Sequence, residues 1–289
     1  MDEAVSGEAP AAIVARLEGA AERIETPCGE GHVVWRRWGA GPPLLLLHGG
    51  HGAWTHWIRN IPFLARTRRV AVPDMPGYGD SALPPDPRDP ASLAQALARG
   101  LDEVFPGDDP IAIVGFSFGG IIAGHLARLR PDRAGRLVLV GAGGLGLPRP
   151  ALPLLKSWRR VESEAERVAA HRANLQILML HDRASIDPLA LHLQAQNTAR
   201  THIDSPTISK TDTLHRCLHD LRIPLASIWG EADATTGEFL DTRRELLRSF
   251  DSEAEFVVIP GGGHWTQYEA PDAFNAALDT ILNAARQRR

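Results

Sequence analysis

Cysteine is scarce in this sequence: Cys28 and Cys217 are the only two in 289 residues. Two cysteines cannot build a disulfide framework, so two free buried thiols in a reducing compartment are expected, with a single bridge the less favoured alternative. No apolar run approaches the ~20 residues of a membrane span. Met1-Asp2-Glu3 is acidic and no apolar stretch follows it, so no secretory leader is expected. Neither sign of charge dominates, with 31 Lys and Arg against 35 Asp and Glu and a net charge of −4. That balance gives no footprint for nucleic acid or for an anionic membrane. Repeats and low-complexity tracts are missing too. What is present is an ordinary globular composition, 44% hydrophobic and 23% charged, long enough to bury a sizeable core as one large domain or two smaller ones. A soluble, cytoplasmic protein is expected, and a homo-oligomer is left open.

Short apolar runs alternate with helix-period segments. Ala11 to Ile24 reads as an amphipathic helix with Pro10 at its start. Gly29-Glu30-Gly31 then turns between two strands that end near Trp38. Leu44-Leu45-Leu46-Leu47 is too short and too apolar for anything but a buried strand. A helix around Trp57 to Leu64 precedes the strand Arg69-Val70-Ala71-Val72. Beyond the Pro-rich stretch Pro84 to Pro90, Ser92 can cap a helix bearing Leu93, Leu97, Leu101 and Val104 on one stripe. Further strands are expected at Ile111–Val114, Leu137–Val140, Leu225–Trp229 and Glu255–Ile259, and a last helix from Pro271 to about Ala285. Between Leu147 and Thr211 the periodicity is helical only, clearest over Pro153 to Ala170 and Asp187 to Arg200. The pattern predicts an α/β fold with a mostly parallel sheet flanked by helices. Its core comprises residues 1–146 and 212–289, with 147–211 inserted as a helical cap.

The chemistry centres on Gly115-Phe116-Ser117-Phe118-Gly119. G-x-S-x-G arises by chance in roughly one chain in ten of this length, so its setting must decide. Here an apolar strand leads in and a helix leads out, the arrangement that lifts a strained serine clear of a sheet. A serine hydroxyl needs a base, and the base needs a carboxylate that holds its tautomer. Asp233 follows the strand ending Trp229-Gly230, and His264 follows the one ending Ile259-Pro260. Both lie past the carboxyl ends of strands, where such sheets place their sites. Glu231 competes with Asp233, but Asp233 sits further from the strand end, where the loop can turn back. An oxyanion needs two N–H donors; Phe118 N–H offers one, and Gly50 N–H of His48-Gly49-Gly50 is chosen as the other.

The order His48-Gly49-Gly50, Asp74-x-Pro76-Gly77-x-Gly79-x-Ser81, Gly115-x-Ser117-x-Gly119-Gly120, Trp229-Gly230-x-x-Asp233 and His264 resembles the α/β-hydrolase superfamily from about Val33 to Ala285. The resemblance implies Ser117 as nucleophile, Asp233 as acid and His264 as base, with His48 bracing the oxyanion loop. It is narrowed by Gly263-His264-Trp265-Thr266-Gln267-Tyr268-Glu269 with Phe274-Asn275, which is similar to the meta-cleavage product hydrolases. Those enzymes cleave a C–C bond in 2-hydroxy-6-oxo-dienoates. Two positions depart from that pattern. Phe116 stands where the family usually has asparagine, and Gln194 stands where a cap arginine holds the substrate carboxylate. Arg200, six residues on, is not on the same helical face as Gln194.

These residues predict a serine hydrolase acting on a small carbonyl substrate (ester, lactone or thioester) through an acyl-enzyme, without metal or organic cofactor. A C–C bond hydrolase and a non-catalytic small-molecule receptor are the alternatives. Serine at the elbow disfavours haloalkane dehalogenases and epoxide hydrolases, which use aspartate there. Candidate substrate contacts are His51, His56, Phe116, Trp265, Gln194 and Arg200. Of the tryptophans Trp54, Trp57, Trp158 and Trp265, only Trp265 is assigned to the pocket rather than to packing. His125 reads as buried and hydrogen-bonded, and the remaining cap arginines as a solvated surface. His215-x-Cys217-x-His219 has helical metal spacing, but surface histidines flanking a packed cysteine are the favoured reading.

Overall fold

A computed structural model describes residues 7–287, with side chains to 284, so Met1-Asp2-Glu3 lies outside the described residues. Eight strands form one sheet: β1 (Glu22–Cys28), β2 (Gly31–Trp38), β3 (Pro43–Leu47), β4 (Arg69–Pro73), β5 (Ile111–Phe116), β6 (Ala134–Val140), β7 (Leu225–Gly230) and β8 (Glu255–Ile259). Their order is β1-β2-β4-β3-β5-β6-β7-β8. Strands β1 and β2 join antiparallel, β2 meets β4 antiparallel, and every later pairing is parallel.

The leucine run explains the layering. Side chains alternate across a strand, so Leu45 and Leu47 enter one apolar cluster while Leu44 and Leu46 enter the other. The first cluster is closed by the helices Pro90–Val104 and Phe118–Leu129, the second by Pro271–Gln287. All four leucines are fully buried, each worth about 1.5–3 kcal/mol of apolar transfer. A parallel strand covered on both faces has no polar face to show, which is why the run carries no alternation of type.

Between β6 and β7 the described residues include five helical pieces longer than one turn, among them Glu164–Asn174 and Pro188–Ala199, and no strand. The expected helix Pro153 to Ala170 is observed only from Glu164 onward. Residues 151–163 are irregular, and the helix begins only after Ser163, whose hydroxyl accepts from Glu166 N–H while the Glu166 carboxylate accepts from Ser163 N–H. That reciprocal cap was legible as Ser-x-x-Glu. The first helix likewise stops at Gly19, because Glu22–Ile24 pair with β2 instead. Asp89, not Ser92, caps the helix Pro90–Val104, its carboxylate accepting from Ala91 N–H. The segment Trp57 to Leu64 divides into two short pieces, Trp54–Trp57 and Ile61–Leu64. Cys28 and Cys217 are free and buried. No described helix is long and apolar enough to cross a membrane.

Candidate active site

Strand β5 delivers its chain into the elbow with Ser117 at φ 52°, a left-handed conformation that a non-glycine residue adopts only under constraint. The glycines around it are required by contact. A Cβ on Gly119 would lie 2.4 Å from the His48 carbonyl oxygen, and one on Gly115 would lie 2.4 Å from that of Gly119. The helix Phe118–Leu129 starts directly after the serine, which occupies its N-cap position.

Loops after β7 and β8 bring the other two groups to the serine. His264 Nε2 is 2.9 Å from Ser117 Oγ, and His264 Nδ1 is 2.9 Å from Asp233 Oδ2. Asp233 is buried, and its second oxygen accepts from Thr235 N–H and Thr235 Oγ1–H, both at 2.8 Å. Burial alone pushes the Asp233 carboxyl up, but His264 and the Thr235 donors outweigh it and hold the pKa below the usual carboxylate range. Thr235 is a contributor the sequence reading missed; a Thr two positions after an Asp in a tight turn is a recognisable signal. Glu231 takes no part: it is exposed and accepts from Gly261 N–H at 2.9 Å.

The loop after β3 passes close to Ser117. A Cβ on Gly49 would sit 3.3 Å from Ser117 Cβ, and one on Gly50 would strike Ser205 Oγ at 2.2 Å. Neither Gly50 N–H nor Phe118 N–H donates to any described residue. His48 braces this loop as expected. Its Nδ1–H donates to the Gly49 carbonyl at 2.8 Å, and its Nε2 accepts from Met75 N–H at 2.9 Å. Burial pulls its pKa down to about 4. His56 accepts from Gly49 N–H at Nδ1, 3.2 Å. Its pKa lies well below the ordinary value, first through burial and then through the charges of His48, His264 and His51.

Above Ser117 lies a cleft of about 550 Å³ that also touches Gly50, His51, Phe116, Phe118 and His264. It adjoins a side space of about 240 Å³, reached past Gly50 and His51, where His56 and Gln194 line the wall. His51 and Phe116 thus line the same cleft as Ser117, while His56 and Gln194 line only the adjoining side space. Trp265 lines neither. It is 1% exposed, stacks on Tyr268 at 4.2 Å and donates its indole N–H to the His56 carbonyl. Trp265 buttresses the site from behind, because the turn Thr266–Glu269 starting beside it carries the indole into the core. Arg200 is also displaced: it is ion-paired with Asp80, borders a different cavity and does not line either space at Ser117. The sequence reading missed Arg149, Lys210, Lys156 and Ser205, all of which line these spaces. They lie in irregular chain or short turns where periodicity gives no direction. Elsewhere, His125 is buried and bonds Thr213 Oγ1 at 2.9 Å. His215 and His219 stack on each other and against Phe250, with Cys217 buried between them in sequence.

Comparison with known proteins identifies the family and the fold. The sequence profile described as the alpha/beta hydrolase family matches residues 44–277. The 2-hydroxy-6-oxo-6-phenylhexa-2,4-dienoate hydrolase of Burkholderia cepacia is 30% identical over 266 residues, covering 85% of this chain and 89% of the relative. Among solved structures, the esterase RhEst1 from Rhodococcus sp. ECU1013 superposes with a TM-score of 0.74 at 18% identity, over 92% of this chain and 99% of that one. The meta-cleavage product hydrolase CumD from Pseudomonas fluorescens IP01 gives 0.69 at 24% identity, over 91% and 98%. With the profile spanning most of its length and its fold shared with these enzymes, the chain belongs to the alpha/beta hydrolase family.

Proposed function

We propose that this chain is a serine hydrolase that cleaves a small carbonyl substrate, an ester, lactone or thioester, through a covalent acyl-enzyme. The observation that carries the reading is the unbroken relay Ser117 Oγ–His264–Asp233, with both links at 2.9 Å. His264 Nε2 takes the Ser117 proton as Oγ attacks the carbonyl carbon. The charge that forms on the carbonyl oxygen is met by the uncommitted N–H groups of Gly50 and Phe118. His264 then returns its proton to the departing oxygen or sulfur. Water, deprotonated by the same nitrogen, releases the acid and restores Ser117. Asp233 stays ionised throughout and fixes the hydrogen of His264 on Nδ1. In this reading the helical segment 147–211 is a cap that closes the cleft from above.

The test is hydrolysis of p-nitrophenyl esters of rising chain length by wild type and Ser117→Ala. Loss of the nucleophile should lower kcat by roughly 10³–10⁶. Undiminished turnover by the variant would overturn the assignment.

A second reading, C–C bond hydrolysis of a ring-cleavage dienoate, is favoured by the likeness to the Burkholderia cepacia enzyme. Against it stand Phe116 in place of asparagine, Gln194 in place of the cap arginine, and Arg200 engaged with Asp80. Two arginines of the segment 147–211 reach these spaces, Arg149 in the cleft at Ser117 and Arg159 in the side space. One nitrogen of Arg159 donates to the Thr198 carbonyl and its guanidinium lies over Trp158. A vinylogous dienoate assayed beside the esters separates the two readings.

A further inference from the structure

One hydroxyl borders the cleft beside the proposed oxyanion donors, and the relay gives it no role. Ser205 is 2% exposed, yet it lines the same space as Ser117, Gly50 and Phe118. A Cβ on Gly50 would meet Ser205 Oγ at 2.2 Å, Ser205 Cβ at 2.9 Å and Phe118 Cβ at 3.7 Å. The side chain that Gly50 lacks is therefore the room that the Ser205 hydroxyl uses. A Cβ lies ~2.5 Å from its own backbone nitrogen, which puts Ser205 Oγ within ~4.7 Å of Gly50 N. Two donors that close can both bond one oxygen lying about 2.8 Å from each.

Ser205 belongs to the inserted segment, but loops of the core hold it in place. Thr201 pairs with Tyr78, in the loop after β4, through an antiparallel bridge. His202 N–H donates to the Gly77 carbonyl and Gly79 N–H to the Arg200 carbonyl, both at 3.0 Å. Tyr78 is fully buried, with its ring 5.0 Å from that of His48 and 6.1 Å from that of Phe118. His48 braces the Gly49-Gly50 loop and Phe118 carries the other donor, so this one ring packs against both halves of the proposed oxyanion site. The loop is also constrained at that point. His51, directly after Gly50, has φ 55°, and it shares positive φ only with Ser117 among the described non-glycine residues. Behind the serine, the Tyr78 hydroxyl is a donor in search of an acceptor. Burial pushes its pKa up, so it stays protonated, and its hydrogen-bonding neighbour is the Ser205 hydroxyl. That contact is loose and falls short of a full bond. Ser205 Oγ has no other partner among the described residues.

We propose that the Ser205 hydroxyl is a third donor to the oxyanion, beside the N–H groups of Gly50 and Phe118, and that Tyr78 is the positioning residue that aims it. A hydroxyl carries one donor and two acceptor sites. Tyr78 O–H donates to Ser205 Oγ, which leaves the Ser205 hydrogen for the carbonyl oxygen as its charge develops. Neither hydroxyl gives up its proton. Both bonds tighten only when the tetrahedral oxygen arrives, the usual behaviour of donors that are loose in the free enzyme. This inference rests on the serine hydrolase reading of the same cleft and adds to it a catalytic side chain from the segment 147–211.

Two measurements test it. The first is steady-state hydrolysis of p-nitrophenyl butyrate by wild type, Ser205→Ala, Ser205→Cys and Tyr78→Phe. Ser205→Ala should lower kcat about 10–100-fold with KM within about threefold, the mark of a contact made only in the transition state. Ser205→Cys nearly keeps the volume but offers only a weak S–H donor, so its kcat should fall almost as far. Tyr78→Phe should lose about 2–5-fold. The second is inhibition by an alkyl trifluoromethyl ketone, which forms a tetrahedral adduct with Ser117. Its inhibition constant should rise in Ser205→Ala by the factor that kcat/KM falls. A loss confined to KM, a cysteine variant as active as wild type, or ketone inhibition indifferent to Ser205→Ala overturns the third donor and leaves the hydrolase reading standing. Turnover undiminished in Ser117→Ala overturns that reading, and the third donor with it.

Discussion

Lowering the pH from 7 to 5 should destabilise this protein before its carboxylates protonate, and His48 shows why. The imidazole is completely buried, and both ring nitrogens are used in the neutral form, Nδ1–H toward Gly49 and Nε2 receiving Met75 N–H. A proton on Nε2 would face another N–H, so the folded state resists charging and the pKa falls to about 4. In the unfolded chain the same ring titrates near 6.5. Between these values the unfolded state holds more protons, so stability is complete above pH 6.5 and is lost as pH falls toward 4. At pH 5 the gap traversed is about 1.5 units, or ~2 kcal/mol. His125, also buried and held at about 4, adds a similar amount. His56, held well below its ordinary value, acts in the same direction, so urea unfolding should show at least ~4 kcal/mol less stability at pH 5 than at pH 7, a large share of what a domain of this kind possesses. His48→Gln, whose amide carries a donor and an acceptor but no titration, should remove about 2 kcal/mol of that loss. A flat stability profile from pH 7 to 5, or the same slope in His48→Gln, refutes the reasoning.

Three further outcomes follow from the packing around the site. Thr235→Val removes one of two donors to Asp233 Oδ1, so kcat should fall roughly 3–20-fold with little change in KM, read from steady-state kinetics; a change confined to KM would contradict this. Gly119→Ala places a methyl 2.4 Å from the His48 carbonyl oxygen, and unfolding should occur at least ~3 kcal/mol earlier on a denaturant scale, or yield no folded protein. Arg200→Ala should leave kcat/KM within about threefold and cost under ~1 kcal/mol, since its partner Asp80 is half-exposed and already held by Arg36; a large loss of ester turnover would return Arg200 to the substrate site.

The parts of this site that were legible from residues alone are those whose chemistry and chain position coincide. Ser117, Asp233 and His264 each follow a buried strand, and a parallel sheet gathers the carboxyl ends of its strands at one edge, so order along the chain predicted proximity. Trp265 shows the limit. Adjacency to His264 places its backbone but not its indole, and the turn that starts there points the ring into the core. Arg200 failed for a related reason: its ion pair with Asp80, 120 residues away, is a tertiary contact that no helical period encodes. Arg149 and Lys210 were missed because loops carry no periodicity from which a direction can be read. The misplaced helix over Pro153 to Ala170 differs in kind. Its true start was written in the sequence as Ser163-x-x-Glu166, and apolar spacing upstream of it was given more weight than the cap.

The most direct test of the central claim is covalent. Treating the protein with a fluorophosphonate and measuring intact mass, then peptides, should show one adduct located on Ser117. His264→Ala should label far more slowly, and Ser117→Ala should not label at all. An adduct elsewhere, or an unmodified wild type that still binds small carbonyl ligands, would contradict the account and leave a receptor built on a hydrolase frame.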